Sequence, residues 1–402
     1  MNLVNAFLEL DNLLHKYSSY WQFIPFQHHD YPWSNPALTR YVDELKASDF
    51  NKIDTQLERQ KMCFSDFFPD MFAWGEKHQL AMSAQTEAAS PFWLKTNIAG
   101  RKWQQIQAFS QSFPFKNRSI VEWCAGKGHL GRILAFHHQT SIDSIEWQAE
   151  LCQQGQTQAD KLQLPQKFIH ADVLTTQAEL LAGKQHVVAM HACGDLHTKM
   201  LAESVKHQVE NIDLIPCCYH LTEAETYQSL SSYAQQSQLA LNKDQIKMAV
   251  QSQLTGGNRA AVLRQKEVTW RLAYQALRAD LMQDLHYVPI PSVNKSWFSG
   301  EFKDFACWCL QQHNLTAPGQ VDWQQYLSLG EIRAASIQKM ELVRHVFRRP
   351  LEMWLILDRA LYLQEQGYQV VLEEFCDYQI TPRNIVIRAN IPKRHGNVCA
   401  AC

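Results

Sequence analysis

The stretch Glu122–Arg132, EWCAGKGHLGR, decides how the chain is read. It ends a short apolar run, RSIVEWC, and opens an amphipathic stretch, so the glycines at 126, 128 and 131 lie at a strand-to-helix turn. Such a turn lets the backbone approach a ligand closely and aims helix N-terminal amides at it. A Walker loop needs Gly-Lys-Ser/Thr at the helix start. Here Lys127 lies between the glycines and His129 follows, which excludes a nucleoside-triphosphate cradle. A dinucleotide turn stays open at this point, because Glu146, ending the next strand, suits a ribose in either case.

Two further acids favour S-adenosylmethionine. Glu122 sits in the strand just before the loop, where a carboxylate can hold the cofactor's cationic amino-acid end, and Asp172, in HADV after the third strand, suits the adenine amine. Acids at these places match ammonium, ribose diol and exocyclic amine together, and agreement across levels is evidence. The expected cofactor set is Glu122, Cys124, Gly126, Lys127, Gly128, Gly131, Glu146, Trp147, Asp172, Val173 and His191.

The chain has 402 residues, 46% of them hydrophobic, and a formal net charge of -2. That is ordinary globular composition with room for two domains or one enlarged domain. No apolar run reaches the ~18–20 residues of a membrane span. The first residues carry Glu9 and Asp11 and show no basic leader, so a soluble, cytoplasmic protein without a targeting segment is expected. Eleven cysteines, an odd count, read as reduced thiols. Cys399 and Cys402 form a lone pair on a flexible tail.

From about 119, β-branched runs alternate with helical patterns: RSIVEWC, SIDSIEW, KFIHADV, HVVAMHAC and IDLIPCCYH. This is the signature of a parallel sheet with crossover helices. A strong helix follows from Pro350 to Gly367, its apolar spacing a core-facing stripe, and then two strands, YQVVLEEFCDY and RNIVIRAN. With the glycine loop and the acids, the chain resembles the class I S-adenosylmethionine-dependent methyltransferases. The resemblance implies an α/β, seven-strand Rossmann-like sheet with its last strand antiparallel beside the sixth; the closing hairpin supplies both. The domains expected are an N-terminal helical cap at 1–95, core strands one to five at 96–221, a helical insertion forming the acceptor site at 222–340, the end of the core at 341–391, and the tail at 392–402.

HACGDLH (His191–His197) and PCCYH (Pro216–His220) end the fourth and fifth strands, whose C-terminal edges face the ligand crevice in an open α/β sheet. The catalytic candidates are His191, Cys193, Asp195, Cys217, Tyr219 and His220. These motifs, with GKGHLGR, LDRALYLQEQG and TPRNIVI, resemble the methyltransferase-like 25 group, which includes relatives labelled as ribosomal RNA adenine dimethylase domain-containing. The H-x-C-G and C-C-x-H elements are also similar to the Trm-thirteen-type tRNA 2′-O-methyltransferases. An adenine-N6 enzyme usually carries Asn/Asp-Pro-Pro-Tyr after strand four, where this chain has HACGD.

Three chemistries compete. In the first, the protein positions cofactor and acceptor for in-line transfer, with His220 or Asp195 taking a hydroxyl proton. In the second, His191, Cys193, Cys217 or Cys218, and His220 hold zinc; adjacent cysteines seldom share a metal and no C-x2-C is present here, so no metal is expected. In the third, Cys193 or Cys217 attacks a base ring. Small buried cysteines that merely pack are the plain alternative.

RNA, tRNA or rRNA, is the favoured acceptor, ahead of protein, with a non-catalytic cofactor-binding scaffold as the rival class. No DNA or membrane partner is expected. RNA follows mainly from the resemblance, helped by basic residues in the insertion (Arg259, Arg264, Lys266, Arg271, Arg278) and by Trp297 and Phe298 near Lys295. A second basic run, Arg344, His345, Arg348 and Arg349, reads as a solvated helix face.

Overall fold

The computed structural model describes residues 1–86, 89–113, 118–176, 179–251, 258–317 and 319–392, with the side chains of 258–261 left aside. These residues form two compact units, one of 1–15, 73–250 and 350 onward, the other of 16–72 and 251–349.

The first unit is built on an eight-stranded sheet. Its strands are β1 (Ala81–Met82), β2 (Ile120–Trp123), β3 (Ile142–Glu146), β4 (Gln166–His170), β5 (His186–Cys193), β6 (Asn211–Cys217), β7 (Gln369–Glu374) and β8 (Ile385–Asn390). The order is β1-β7-β8-β6-β5-β2-β3-β4, with β8 antiparallel to both its neighbours and the other pairs parallel. The Rossmann-like sheet and the inserted antiparallel strand are as expected. The count is eight rather than seven, because two residues of the N-terminal region join the edge beside β7. A two-residue strand carries too little pattern to be read in advance.

Helices cover both faces, so the central strands are apolar along their length rather than alternating. Every residue of β6 is buried. Ile106, Phe109, Leu130, Ile133, Val188, Ile215 and Val386 belong to one core cluster under the sheet.

The compact units do not follow the expected domain boundaries. The helix Leu3–Lys16 buries Leu3, Ala6, Phe7, Leu10 and Leu14. Phe7 packs on Trp354 at 5.3 Å between ring centroids, and Trp354 Nε1 donates to Asp11 Oδ1 at 2.8 Å. Residues 1–15 therefore fall in the same compact unit as the sheet.

The helix Arg348–Glu365 also departs from its expected single apolar stripe, since every residue from 351 to 361 is buried. Glu352, Asp358 and Arg359 are consequently enclosed. Asp358 accepts hydrogen bonds from Tyr227 Oη (2.5 Å), the Leu230 amide, and the Ser231 amide and hydroxyl (both 2.7 Å). One carboxylate thus holds the chain that leaves β6.

The second unit packs the helices Asn258–Met282, Phe302–Gln312 and Trp323–Arg344 around Trp270, Tyr274, Phe298 and Phe305. The basic residues expected to face RNA are largely used inside it. Arg271 donates to the carbonyls of Ile290 and Pro291 and pairs with Glu267, while Arg278 donates to His286 O and pairs with Asp284. Phe298 is core, Lys266 lies over the Trp270 ring, and the Arg259 side chain falls outside the described residues. The second basic run is not a solvated face either: Arg344 donates to Trp21 O, and His345 and Arg348 both meet the buried carboxylate of Asp54. A helical face satisfied by distant partners cannot be told from a solvated one by spacing alone.

Removing the Asp358 carboxylate strands buried donors from three residues, so Asp358→Ala should cost roughly 3 kcal/mol or more. Urea denaturation of the variant would show it as a lowered midpoint at unchanged slope.

Candidate functional site

The glycine loop is set by what lies beneath it. β2 ends at Trp123, Cys124 turns the backbone at φ 57°, and Gly128 at φ 64° starts the helix His129–His138. A Cβ on Gly131 would come within 2.4 Å of Glu122 Oε2, so only glycine lets this helix sit down on the strand. Glu122 Oε2 accepts from Ser144 Oγ at 2.6 Å and from Gln166 Nε2 at 3.5 Å, and the carboxylate also takes the Gly131 amide. Burial pushes Glu122 up to about 7, against the lowering effect of those hydrogen bonds and of Lys102 and Arg132.

The acids expected to hold the cofactor stand differently from one another. Glu146 at the end of β3 accepts the Gly126 amide at 2.9 Å on one oxygen and the Gln148 amide at 3.0 Å on the other. Each oxygen keeps a lone pair for a diol. Beside it, a Cβ built on Gly126 would meet nothing within 4 Å, so the loop leaves room on its ligand side. Asp172 is exposed after β4 and accepts the Leu174 amide at 3.0 Å, while Val173 is buried and Trp147 is 62% exposed. Lys127 is exposed on the loop. Burial pushes the Cys124 thiol up to about 12, and Glu146, Cys193 and Asp172 all add to the shift. Each of these three groups therefore lies within electrostatic reach of Cys124.

The ends of β5 and β6 carry the catalytic candidates. The β5–β6 register shifts between Met190 and Cys193, where His191 adopts φ 67°, and Cys218 just past β6 adopts φ 44°. Bulges and left-handed residues at strand ends re-aim side chains. His191 Nε2 meets Gln105 Oε1 at 3.0 Å, and burial, then Arg383 and Lys102, bring His191 down to about 4. It stays neutral at physiological pH. The sulfurs of Cys193, Cys217 and Cys218 lie within 4.8 Å of one another. Asp195 Oδ2 accepts the Glu223 amide at 2.8 Å. Asp195 and Tyr219 share with Arg359 and Tyr227 the lining of a cavity of about 440 Å3. His220 is half-buried with its Nδ1 lacking a hydrogen-bond partner.

Sequence reasoning passed over several residues of the site. Lys102 and Gln105, from the helix Gly100–Ser112, face Glu122 and His191 respectively. Arg383, in TPRNIVI, acts on His191, Cys193 and Cys218 and donates to Val250 O at 2.6 Å. Arg359, in LDRALYLQEQG, donates to His197 Nε2 at 2.7 Å, and His197 Nδ1–H in turn donates to Ala192 O at 3.0 Å. That chain of bonds fixes the β5 end beside His191 and Cys193. The two motifs were the available signal, since each places an arginine beside apolar residues, Ala360 and Leu361 in one and Ile385 to Ile387 in the other.

Glu122 gives a pH dependence. Its folded pKa, about 7, lies above the ordinary 4.5, so the unfolded state ionises first as pH rises. Stability from this group is full below about 4.5 and lost as pH rises through 7, on the order of 3 kcal/mol in all. Glu122→Gln keeps an acceptor for Ser144 but cannot ionise. Denaturation midpoints of wild type should fall between pH 5 and 8 by clearly more than those of the variant; parallel curves would contradict a raised Glu122.

Residues 101–225 match the family described as "Methyltransferase domain". None of the curated proteins matches the chain. Among solved structures, similarity extends to a tRNA (uracil-54, C5)-methyltransferase of Pyrococcus abyssi in complex with S-adenosyl-L-homocysteine, at 13% identity over 28% of each chain and a TM-score of 0.24. An S-adenosylmethionine-dependent methyltransferase of Aquifex aeolicus matches at 14% identity over 32% of this chain and 72% of its own, with a TM-score of 0.26. The chain spans 28% and 50% of the lengths of the first two structures it matches. Over residues 101–225, then, the chain carries a methyltransferase domain.

Proposed function

We propose that the chain transfers the methyl group of S-adenosylmethionine to RNA, tRNA or rRNA. The observation that supports transfer most directly is convergence. The glycine loop, Glu146 and Asp172 on the cofactor side, and Cys193 on the acceptor side, lie close enough for Cys124 to sense all of these acids and the thiol. Cofactor bound on the loop supplies the sulfonium methyl. Glu146 would hold the ribose, Asp172 the adenine amine, and Glu122, beneath the loop, would answer the ammonium. His191 and the bulged end of β5 border the path of the methyl, and the 440 Å3 cavity beside Asp195, of a volume suited to a small ligand or a single base, would receive the acceptor's reacting part. Positioning of this kind supplies most of the rate in an in-line transfer.

RNA as the acceptor rests on the likeness of HACG and CCYH to the tRNA 2′-O-methyltransferase motifs. Arg271 and Arg278 of the second unit no longer support it, because both are tied to its own loop. Exposed Arg264 and Lys127 remain available to phosphate.

Glu146→Ala and Asp172→Ala should each weaken cofactor binding by about 1.5–3 kcal/mol, roughly ten- to 150-fold, measured by calorimetry. Unchanged affinity in both would remove the cofactor assignment. For the acceptor, the protein is incubated with methyl-labelled cofactor and total cell extract, which is then split into RNA and protein fractions. Label in RNA is the expected result, with binding that falls steeply as salt rises. Label in protein alone transfers the proposal to a side-chain acceptor, and label in neither leaves a cofactor-binding scaffold.

A further inference from the structure

The three thiols at the strand ends are arranged in a way that methyl transfer does not require. Cys193 ends β5, Cys217 ends β6, and Cys218 follows directly. Consecutive residues of an extended strand point to opposite faces, so Cys217 and Cys218 would ordinarily diverge. The left-handed conformation of Cys218, φ 44°, breaks that alternation and turns its sulfur back beside its neighbour's. The bulge at 190–193 brings Cys193 to the same place, with its sulfur 3.4 Å from that of Cys217. All three sulfurs fall within 4.8 Å of one another.

We propose that Cys193, Cys217 and Cys218 form a three-thiolate site for zinc between the ends of β5 and β6. A tetrahedral zinc with bonds of about 2.3 Å sets its sulfurs about 3.8 Å apart, inside the spread the cluster already has. Soft thiolates select a borderline-soft, redox-inert cation over magnesium or calcium, which take oxygen. Two neighbouring groups fit the charge and the coordination number. Arg383 faces the cluster and offsets the net negative charge of three thiolates on a divalent ion. His220, two residues beyond Cys218 and within electrostatic reach of it, has an Nδ1 with no hydrogen-bond partner. It is placed to complete the shell or to leave the fourth position to a ligand in the cleft. Three protein ligands with an accessible fourth position is the pattern of catalytic rather than structural zinc. The site replaces the sequence expectation of no metal, and it stands independently of the methyl-transfer reading, because metal uptake is read without cofactor or acceptor.

The test uses the full chain, reduced, purified without a histidine tag and stripped with chelator. Reconstitution with zinc should give about one tightly held ion per chain by mass spectrometry. Cobalt(II) in its place should show thiolate-to-metal charge transfer in the near ultraviolet and the intense visible bands of a tetrahedral site. Cys193→Ser, Cys217→Ser and Cys218→Ser should each weaken uptake by roughly 100-fold or more, with folding checked by far-ultraviolet circular dichroism. Cys399→Ser/Cys402→Ser, removing the terminal pair, should leave it unchanged. A wild-type protein that gives no thiolate-to-cobalt band overturns the proposal even if every variant misfolds. So does stoichiometric metal that survives Cys217→Ser/Cys218→Ser or disappears in the terminal-pair variant.

Discussion

A carboxylate that has lost its water organises the strands beneath the glycine loop. Glu122 on β2 is 3% exposed, and Ser144 of β3, Gln166 of β4 and Gly131 of the following helix all close on it. Three adjacent parallel strands and the helix that crosses them are thereby registered at one point. Gln166 extends the contact upward, donating to the Gly128 carbonyl at 3.0 Å, so the loop above inherits its shape from the strands below. Glu146 then fixes the upper side through the Gly126 amide. A buried carboxylic acid is a costly way to set a register. Its use here makes sense beside a cationic ligand, because positive charge arriving over the loop favours the ionised form that burial disfavours. Lys102 and Arg132 already lean on it in the same sense.

Much of this could be read from the sequence because its determinants are local. The glycines, the acid ending β3, the closing hairpin and the parallel strands each leave a mark within a dozen residues. What escaped is long-range. Asp358 meets its partners at 227–231, some 130 residues away, and Arg359 reaches His197 across 162, so neither could be distinguished from charges on a wet helix face. The same blindness ran the other way in the insertion, where Arg271 and Arg278 were read as facing phosphate but serve carbonyls of a nearby loop. The pair Cys217–Cys218 is discounted in the sequence because adjacent cysteines seldom share a metal; in an extended strand they diverge, and a single left-handed residue cancels that divergence. Local rules fail where the backbone leaves its usual basin, as it does at Cys124, His191 and Cys218 by the C-terminal ends of β2, β5 and β6.

Such departures must be held against relaxation, and the opposite end of the same strands shows how. Asp213 of β6 meets His186 Nε2 at 2.6 Å with one oxygen and Arg388 Nη1 at 2.7 Å with the other. Arg388, on β8, also pairs with Glu373 of β7 at 3.0 Å and donates to the Ser112 carbonyl at 3.0 Å. Phe113 stacks on His186 at 4.9 Å. Four strands are pinned together by buried and half-buried charge-assisted bonds, about 23 Å along β5 from the thiols at ~3.3 Å per residue. With that end locked, β5 and β6 cannot slip past one another to flatten the bulge at 190–193. Arg359 and His197 grip the near end through Ala192 O. The strained segment carrying His191 and Cys193 therefore lies between two fixed points. The inserted antiparallel strand contributes directly to this arrangement: it carries Arg388 into the sheet beside β6, and so couples the fold's topology to the geometry at the far ends of β5 and β6.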